Sequence, residues 1–323
     1  MSLYGKLSVT NGTYAIRIIG DLDIGIDIDV IQSSPTHYGD AIVANNLKVS
    51  EGTKLNVQSN GSGLYSYGNI YLQKADVTIN ANIPGVGKGI ATKRFISAYG
   101  GIHIDNSKLD LTFTADRDIC DQTGGSGGIY AGNEISIYND SDVSVKGNVK
   151  QEDSVYVSSI SGITADGEAS VDRFRVTIEM DCAPAFNVMG FFAGMGGMSL
   201  SESIVSSNVE GNGMVYGVDT QGELDVQDAN IEVNVKQHKD YIDTGAAYGI
   251  LAADAVIDIT KPEISVSSSV DNGLAFGCFT GTEDETPAEY TEGYEAEKVR
   301  LGDKTVCVTQ EDNTVNLGNV VRG

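Results

Sequence analysis

The chain has 323 residues, with 39 Gly, only 5 Pro, no Trp and 41% apolar residues, so a sizeable core is available and extensive disorder is disfavoured. Its formal net charge of −24 repels phosphate backbones and anionic lipid heads, which disfavours nucleic acid and membrane partners. No run approaches 18 apolar residues, so no segment is expected to span a bilayer.

Leu7 and Val9 suggest a first partial coil, and Ile16, Gly20, Leu22 and Ile24 a fuller one. Asp21, Asp23, Asp27 and Asp29 alternate with Leu22, Ile24, Ile26, Ile28 and Val30, so all four carboxylates are expected to face solvent. From Ile42 onward one unit recurs. Its position zero is the apolar residue at Ile42, Leu64, Ile96, Ile129, Ile163, Phe192, Val218 and Ile250. In most copies apolar residues follow at +6 and +8, a small one near +11, and apolar ones again at +13 and +15, while the copies from Ile42, Ile129 and Ile250 slip by one residue at a turn. In the copy from Leu64 these are Ile70, Leu72, Ala75, Val77 and Ile79; in the copy from Val218 they are Leu224, Val226, Ala229, Ile231 and Val233. Steps of two mark strands. Three short strands per repeat of about 22 to 34 residues mark one coil of a solenoid, which buries its apolar face only by stacking on its neighbours.

Position +4 is occupied by Asn46, Gly68, Gly100, Asn133, Gly167, Gly196, Gly222 and Asp254, residues that tolerate the left-handed backbone best. A left-handed bend between the first two strands is therefore expected there. The outward +12 row runs Lys54, Asp76, Lys108, Asp142, Arg175 and then Ile204, Asn230, Glu263. Alternating charge in such a column opposes a one-coil slip. Insertions over 80–94, 112–127, 146–161, 180–190 and 234–248 all leave the same turn and gather on one side. A last first-type strand is Gly273–Phe276; the stretch 282–297 reads as a loop, and Val299–Val308 and Val315–Val320 as strands that cap the end. The expected fold is thus all-β: a right-handed, single-stranded parallel β-helix of about nine to ten three-strand coils over residues 1–281, with 282–323 as an acidic loop and capping strands of the same domain.

Tyr65, Tyr67, Tyr99 and Tyr130 fall at outward positions +1 and +3 of the first sheet. An exposed tyrosine strip suits stacking on sugar rings, with phenol hydroxyls bonding to sugar hydroxyls. The bland alternative is that tyrosine favours strands and that loops 80–94 or 112–127 cover the rings. Catalytic signals are weak. His37, His103 and His238 lack spacing to a nucleophile, and His103 reads as a surface residue. The many carboxylates form no calcium loop, so calcium is entertained only as a cofactor without named ligands. Cys120, Cys182, Cys278 and Cys307 are too far apart for a zinc motif and read as buried thiols or one or two disulfides. Gly124–Gly128 reads as a flexible insertion end, since no helix follows to hold phosphate.

The stretches Gly128–Val145, Gly162–Ile178 and Gly249–Val266 carry Gly-Ile-x-Ala, then Gly, Asn or Asp, then two strands of alternating Ile or Val. This pattern resembles the carbohydrate-binding β-helix family of anaerobic bacteria, which is similar in fold to pectate lyases. The resemblance spans roughly 40–270 and implies a secreted, polysaccharide-binding protein that holds calcium. Lyase and polygalacturonase site motifs are absent: Asp166 and Asp219 are the only acidic first-sheet outward residues. The expectation is a non-catalytic, monomeric polysaccharide binder at the cell surface or outside it, with a signal peptide removed or absent. The alternatives are an adhesin-type protein binding a protein partner through loops 80–94, 112–127 and 146–161, and a degenerate polysaccharide lyase.

Overall fold

The computed structural model describes residues 5–10, 12–33, 39–83, 94–115, 126–149, 157–182, 185–211, 213–237, 245–257, 264–270, 273–280, 296–301, 304–308 and 314–317. The chain is an all-β parallel β-solenoid, with no helix among the described residues. None of them forms a helix long and apolar enough to cross a membrane.

Strand β1 (Gly5–Thr10) comes first, then β2 (Tyr14–Arg17), β3 (Leu22–Ile24) and β4 (Ile28–Ser33). The same trio recurs as β5 (Asp40–Ala44), β6 (Leu47–Val49) and β7 (Lys54–Ser59), and as β8 (Leu64–Ser66), β9 (Ile70–Gln73) and β10 (Asp76–Ile83). Next come β11 (Arg94–Ala98), β12 (Ile102–Asp105) and β13 (Lys108–Ala115). Corners then begin to merge strands: β14 (Ser126–Ala131), β15 (Ile135–Val149), β16 (Val157–Ala165), β17 (Glu168–Cys182), β18 (Ala185–Ala193), β19 (Gly197–Ser201) and β20 (Ile204–Gly211). The remaining strands are β21 (Met214–Gln227), β22 (Asn230–Gln237), β23 (Gly245–Ile257), β24 (Ile264–Val270), β25 (Gly273–Thr280), β26 (Ala296–Leu301), β27 (Lys304–Val308) and β28 (Thr314–Leu317).

Three parallel ladders result. The first runs β2, β5, β8, β11, β14, β16, β18, β21, β23, β25. The second runs β3, β6, β9, β12, β15, β17, β19, β21, β23. The third begins at β1 and runs β4, β7, β10, β13, β15, β17, β20, β22, β24. At its far end β28 pairs antiparallel with β24, while β26 and β27 form an antiparallel pair.

Alternation explains why these residues make strands. In β7 and β10 every second side chain is buried, and the inward set is mostly β-branched or Leu. Ile42, Leu64, Ile96, Ile129, Ile163, Phe191, Val218 and Ile250 form one inward column, all at most 2% exposed. Phe191, not Phe192, holds that column, so Phe192 turns outward opposite Thr164 and Asp219. The slip is absorbed by an extra residue at the Gly194–Gly197 corner, where the Gly197 N–H bonds the Gly194 carbonyl. Cys182 is fully buried in the core; Cys120 and the side chains of Cys278 and Cys307 lie outside the described residues.

The expected left-handed bend lies at the other corner. None of Asn46, Gly68, Gly100, Asn133, Gly167, Gly196 and Gly222 is among the positive-φ residues. The positive-φ residues other than glycine are Lys74, Asn106, Asn139, Asp140, Arg173, Glu202 and Asp228, with φ between 45° and 59°, on the turn from the second strand to the third; of the positive-φ glycines, Gly20 and Gly197 lie at the first corner and Gly52 at the second. At the first corner small residues are needed for close stacking instead. A Cβ on Gly167 would overlap the Asn133 carbonyl, and one on Gly222 would lie 2.6 Å from Gly197 N. Asparagine is admitted where its side chain joins the ladder: Asn46 Oδ1 accepts from the Asn69 N–H at 2.9 Å, and Asn69 Oδ1 from the Gly101 N–H at 2.7 Å.

The +12 column is in register from Lys54 through Asp76, Lys108, Asp142, Arg175 and Ile204 to Asn230. The closest partner of Lys108 is nonetheless Asp110 on its own strand, 2.7 Å away. That contact raises the Lys108 pKa first, with smaller contributions from Asp76 and Asp142.

Candidate functional site

Tyr65 and Tyr67 sit on consecutive outward positions of β8 and of the corner after it, and Tyr99 occupies the same corner one coil on. The Tyr99 N–H bonds the Ser66 carbonyl, which places Tyr99 directly over Tyr67. The three rings form one cluster. Tyr65 meets Tyr67 and Tyr99 edge-on at 5.2 and 5.9 Å, and Tyr67 and Tyr99 lie 6.0 Å apart at 31°. Tyr67 is 52% exposed and Tyr99 59%, while Tyr65 is half-buried beneath them. Burial, then the hydrogen bond with Tyr99, raises the Tyr65 hydroxyl above the usual tyrosine range. The hydroxyl is therefore neutral and available as donor or acceptor.

Tyr130 is placed differently. It stands two coils from Tyr65 in the same column, with Ser97 between them. The Arg94 guanidinium lies over its ring, 3.1 Å from the centroid, and its hydroxyl donates to Asp166. Burial, then the bond to Asp166, raises its pKa. One face of Tyr130 is thus already occupied. Arg94 and Asp166 belong to the site region through contacts between coils. The signal that would have pointed to Arg94 is its cross-coil pairing with Gly127, three residues before Tyr130.

Around the corner, on the second sheet, Tyr71 and His103 stack at 4.9 Å and 12°. Asn69 Nδ2 donates to the Tyr71 hydroxyl at 2.8 Å, and His103 Nε2 lies 3.6 Å from Glu134. His103 is therefore half-buried in an aromatic stack rather than a plain surface residue. Rings that stack face to face along the solenoid axis present edges, not faces, to solvent.

Other expected positions resolve as follows. Asp21, Asp23, Asp27 and Asp29 all face solvent, and each hydrogen-bonds the next coil, as in Asn46 Nδ2 to Asp21 Oδ1 at 2.8 Å and Asn56 Nδ2 to Asp29 Oδ1 at 2.8 Å. No group of three or more His, Cys, Asp or Glu converges as a metal site among the described residues. Asp219, expected on the outside, is buried at 5% exposure. Close by, Tyr216 and Tyr248 stack at 5.2 Å and form a separate buried cluster with Leu251. His37 and His238 lie outside the described residues, as do 84–93, 116–125, 150–156, 183–184 and 238–244 of the long insertions, whose remaining residues extend strands of the first and third ladders.

A groove of ≈ 540 Å³ crosses the outer face of the third sheet, lined by residues that include Thr112, Lys146, Glu179, Asp181 and Asn234. Its polar groups largely satisfy one another: Lys146 Nζ lies 2.7 Å from Glu179, and Asn234 donates to Asn208 Oδ1 at 2.8 Å. At the first-sheet tyrosine corner, by contrast, Tyr67 and Tyr99 are more than half exposed.

No family model, curated protein or solved structure matches the chain. The resemblance to carbohydrate-binding β-helices therefore rests on the core motif alone.

Proposed function

We propose that this protein is a non-catalytic polysaccharide-binding β-helix of a bacterial cell surface, right-handed and built of nine to ten three-strand coils. The ten-strand first ladder supports that coil count, and the strong right-handed preference of crossover connections supports the hand. The observation that carries the functional reading is the cluster of Tyr65, Tyr67 and Tyr99, with the latter two more than half exposed on a rigid ladder. Large aromatic rings held open on a fixed scaffold offer apolar contact and hydroxyls together, which is what a sugar ring needs. A net charge of −24 favours neutral chains over polyanions.

Isothermal titration against a panel of neutral polysaccharides tests the reading. Binding is expected to at least one, weakened about tenfold by Tyr67→Ala. Silence across the panel, or unchanged affinity after the combined change of Tyr67 and Tyr99 to Ala, would sink it.

A further inference from the structure

The column that carries Tyr67 and Tyr99 contains a gap. Backbone hydrogen bonds place Asn45, Tyr67, Tyr99, Gly132, Asp166 and Gly194 directly over one another. Tyr67 and Tyr99 cover each other's facing sides. One coil beyond Tyr99 the column holds Gly132, which contributes no side chain. The next side chain in the column is Asp166, two coils away, at about 9.6 Å for twice the ~4.8 Å coil spacing. Asp166 is exposed, and its Oδ2 accepts the Tyr130 hydroxyl. The glycine is not replaceable in this backbone, since a Cβ there would overlap the Tyr99 carbonyl. The gap is therefore bounded by an aromatic ring at one end, a carboxylate at the other and bare backbone beneath.

Resting on the polysaccharide-binding reading, we propose that this gap is a subsite for one neutral hexopyranose ring. The ring stacks on Tyr99 and donates a hydroxyl to Asp166, whose position is held by Tyr130. A ring at van der Waals contact of about 3.7 Å from Tyr99 leaves roughly 6 Å for the Asp166 side chain and one hydrogen bond. A carboxylate at that end disfavours uronates. The subsite is short along the axis, so the sugar chain crosses the first corner toward Tyr71 and His103 rather than following the column.

Amide chemical-shift mapping of the full chain with single sugars tests this. The probes are methyl glucoside, methyl galactoside, methyl mannoside and glucuronic acid at millimolar concentration. Shifts at Tyr99, Gly132 and Asp166 are expected with at least one neutral sugar and not with glucuronic acid. Tyr99→Leu and Asp166→Asn are each expected to weaken that sugar about tenfold, and both change exposed groups outside the core. If polysaccharide binds but no single sugar shifts these amides, or neither variant changes affinity, the subsite falls and the functional reading stands. If neither single sugars nor polysaccharides bind, both fall. Tighter binding of glucuronic acid than of any neutral sugar overturns the assignment of Asp166.

Discussion

The two corners that flank the second sheet turn the same chain by opposite means. The first corner brings backbone against backbone. Its stacked residues are Gly68, Gly100 and Gly167, with Asn46 and Asn133 between them, and their φ values are ordinary. The second corner turns through the left-handed region at Lys74, Asn106, Asn139, Arg173, Glu202 and Asp228, each four residues after the first inward residue of the second strand. There the side chain points into solvent, so size is tolerated and backbone strain is accepted. At the first corner positive φ is confined to the glycines Gly20 and Gly197, and a Cβ is excluded at Gly68, Gly100 and Gly167. A conspicuous glycine column therefore marks close approach, and a mixed column of Asn, Asp and long charged residues marks the strained turn.

The largest expected effect is at the crowded corner. Gly167→Ala drives a Cβ into the Asn133 carbonyl of the coil below, and backbone cannot rotate away as a side chain can. A loss of about 3 kcal/mol is expected, read as a lower denaturant midpoint. Unchanged stability would mean that the coils are spaced more widely there than the stacking implies.

This contrast also divides what was legible from what was not. The inward columns were readable because Ile, Leu and Val recur at steps of two, and burial leaves such positions no freedom. The Phe191–Phe192 doublet defeated that logic: both are apolar, and only the extra residue at the Gly194–Gly197 corner decides which one turns in. The left-handed column was obscured because Lys74, Arg173 and Glu202 interrupt the Asn and Asp residues that favour it, whereas the glycines at the other corner mostly conserve space. Tyrosines were only half informative. Tyr67 and Tyr99 are open while Tyr216 and Tyr248, in the same ladder, are buried. Arg94, and the pairing of Asp166 with Tyr130, escaped notice because both contacts with Tyr130 cross coils more than 30 residues apart in the chain.

A middle-sized effect is expected at the buried seam just beyond the strained corner. Ser107 Oγ accepts from the Ala75 N–H at 3.0 Å and donates to the Asp105 carbonyl at 2.7 Å. Ser107→Ala leaves the Ala75 N–H buried without that acceptor, at a cost of about 2 kcal/mol. Ser107→Cys, which keeps a weak acceptor in similar volume, should recover part of the loss. Equal stability of Ser107→Ala and the parent would show that water reaches this seam.

The smallest effect has the opposite sign and is the sharpest test of the contrast. Glu202 has φ of 47° and an exposed side chain. An L-residue there bears roughly 1–2 kcal/mol of left-handed strain. Glycine removes that strain but gives back roughly 0.5–1 kcal/mol through the freer unfolded chain. Glu202→Gly should therefore stabilise by about 0.5–1 kcal/mol, the reverse of what glycine does in an ordinary strand position. Because the change removes a surface charge as well, Glu202→Gln serves as the reference, and the two should differ in the same direction at low and high salt. A destabilised Glu202→Gly relative to Glu202→Gln would mean that the charged column grips the corner through its side chains, and the division of labour between the two corners would have to be redrawn.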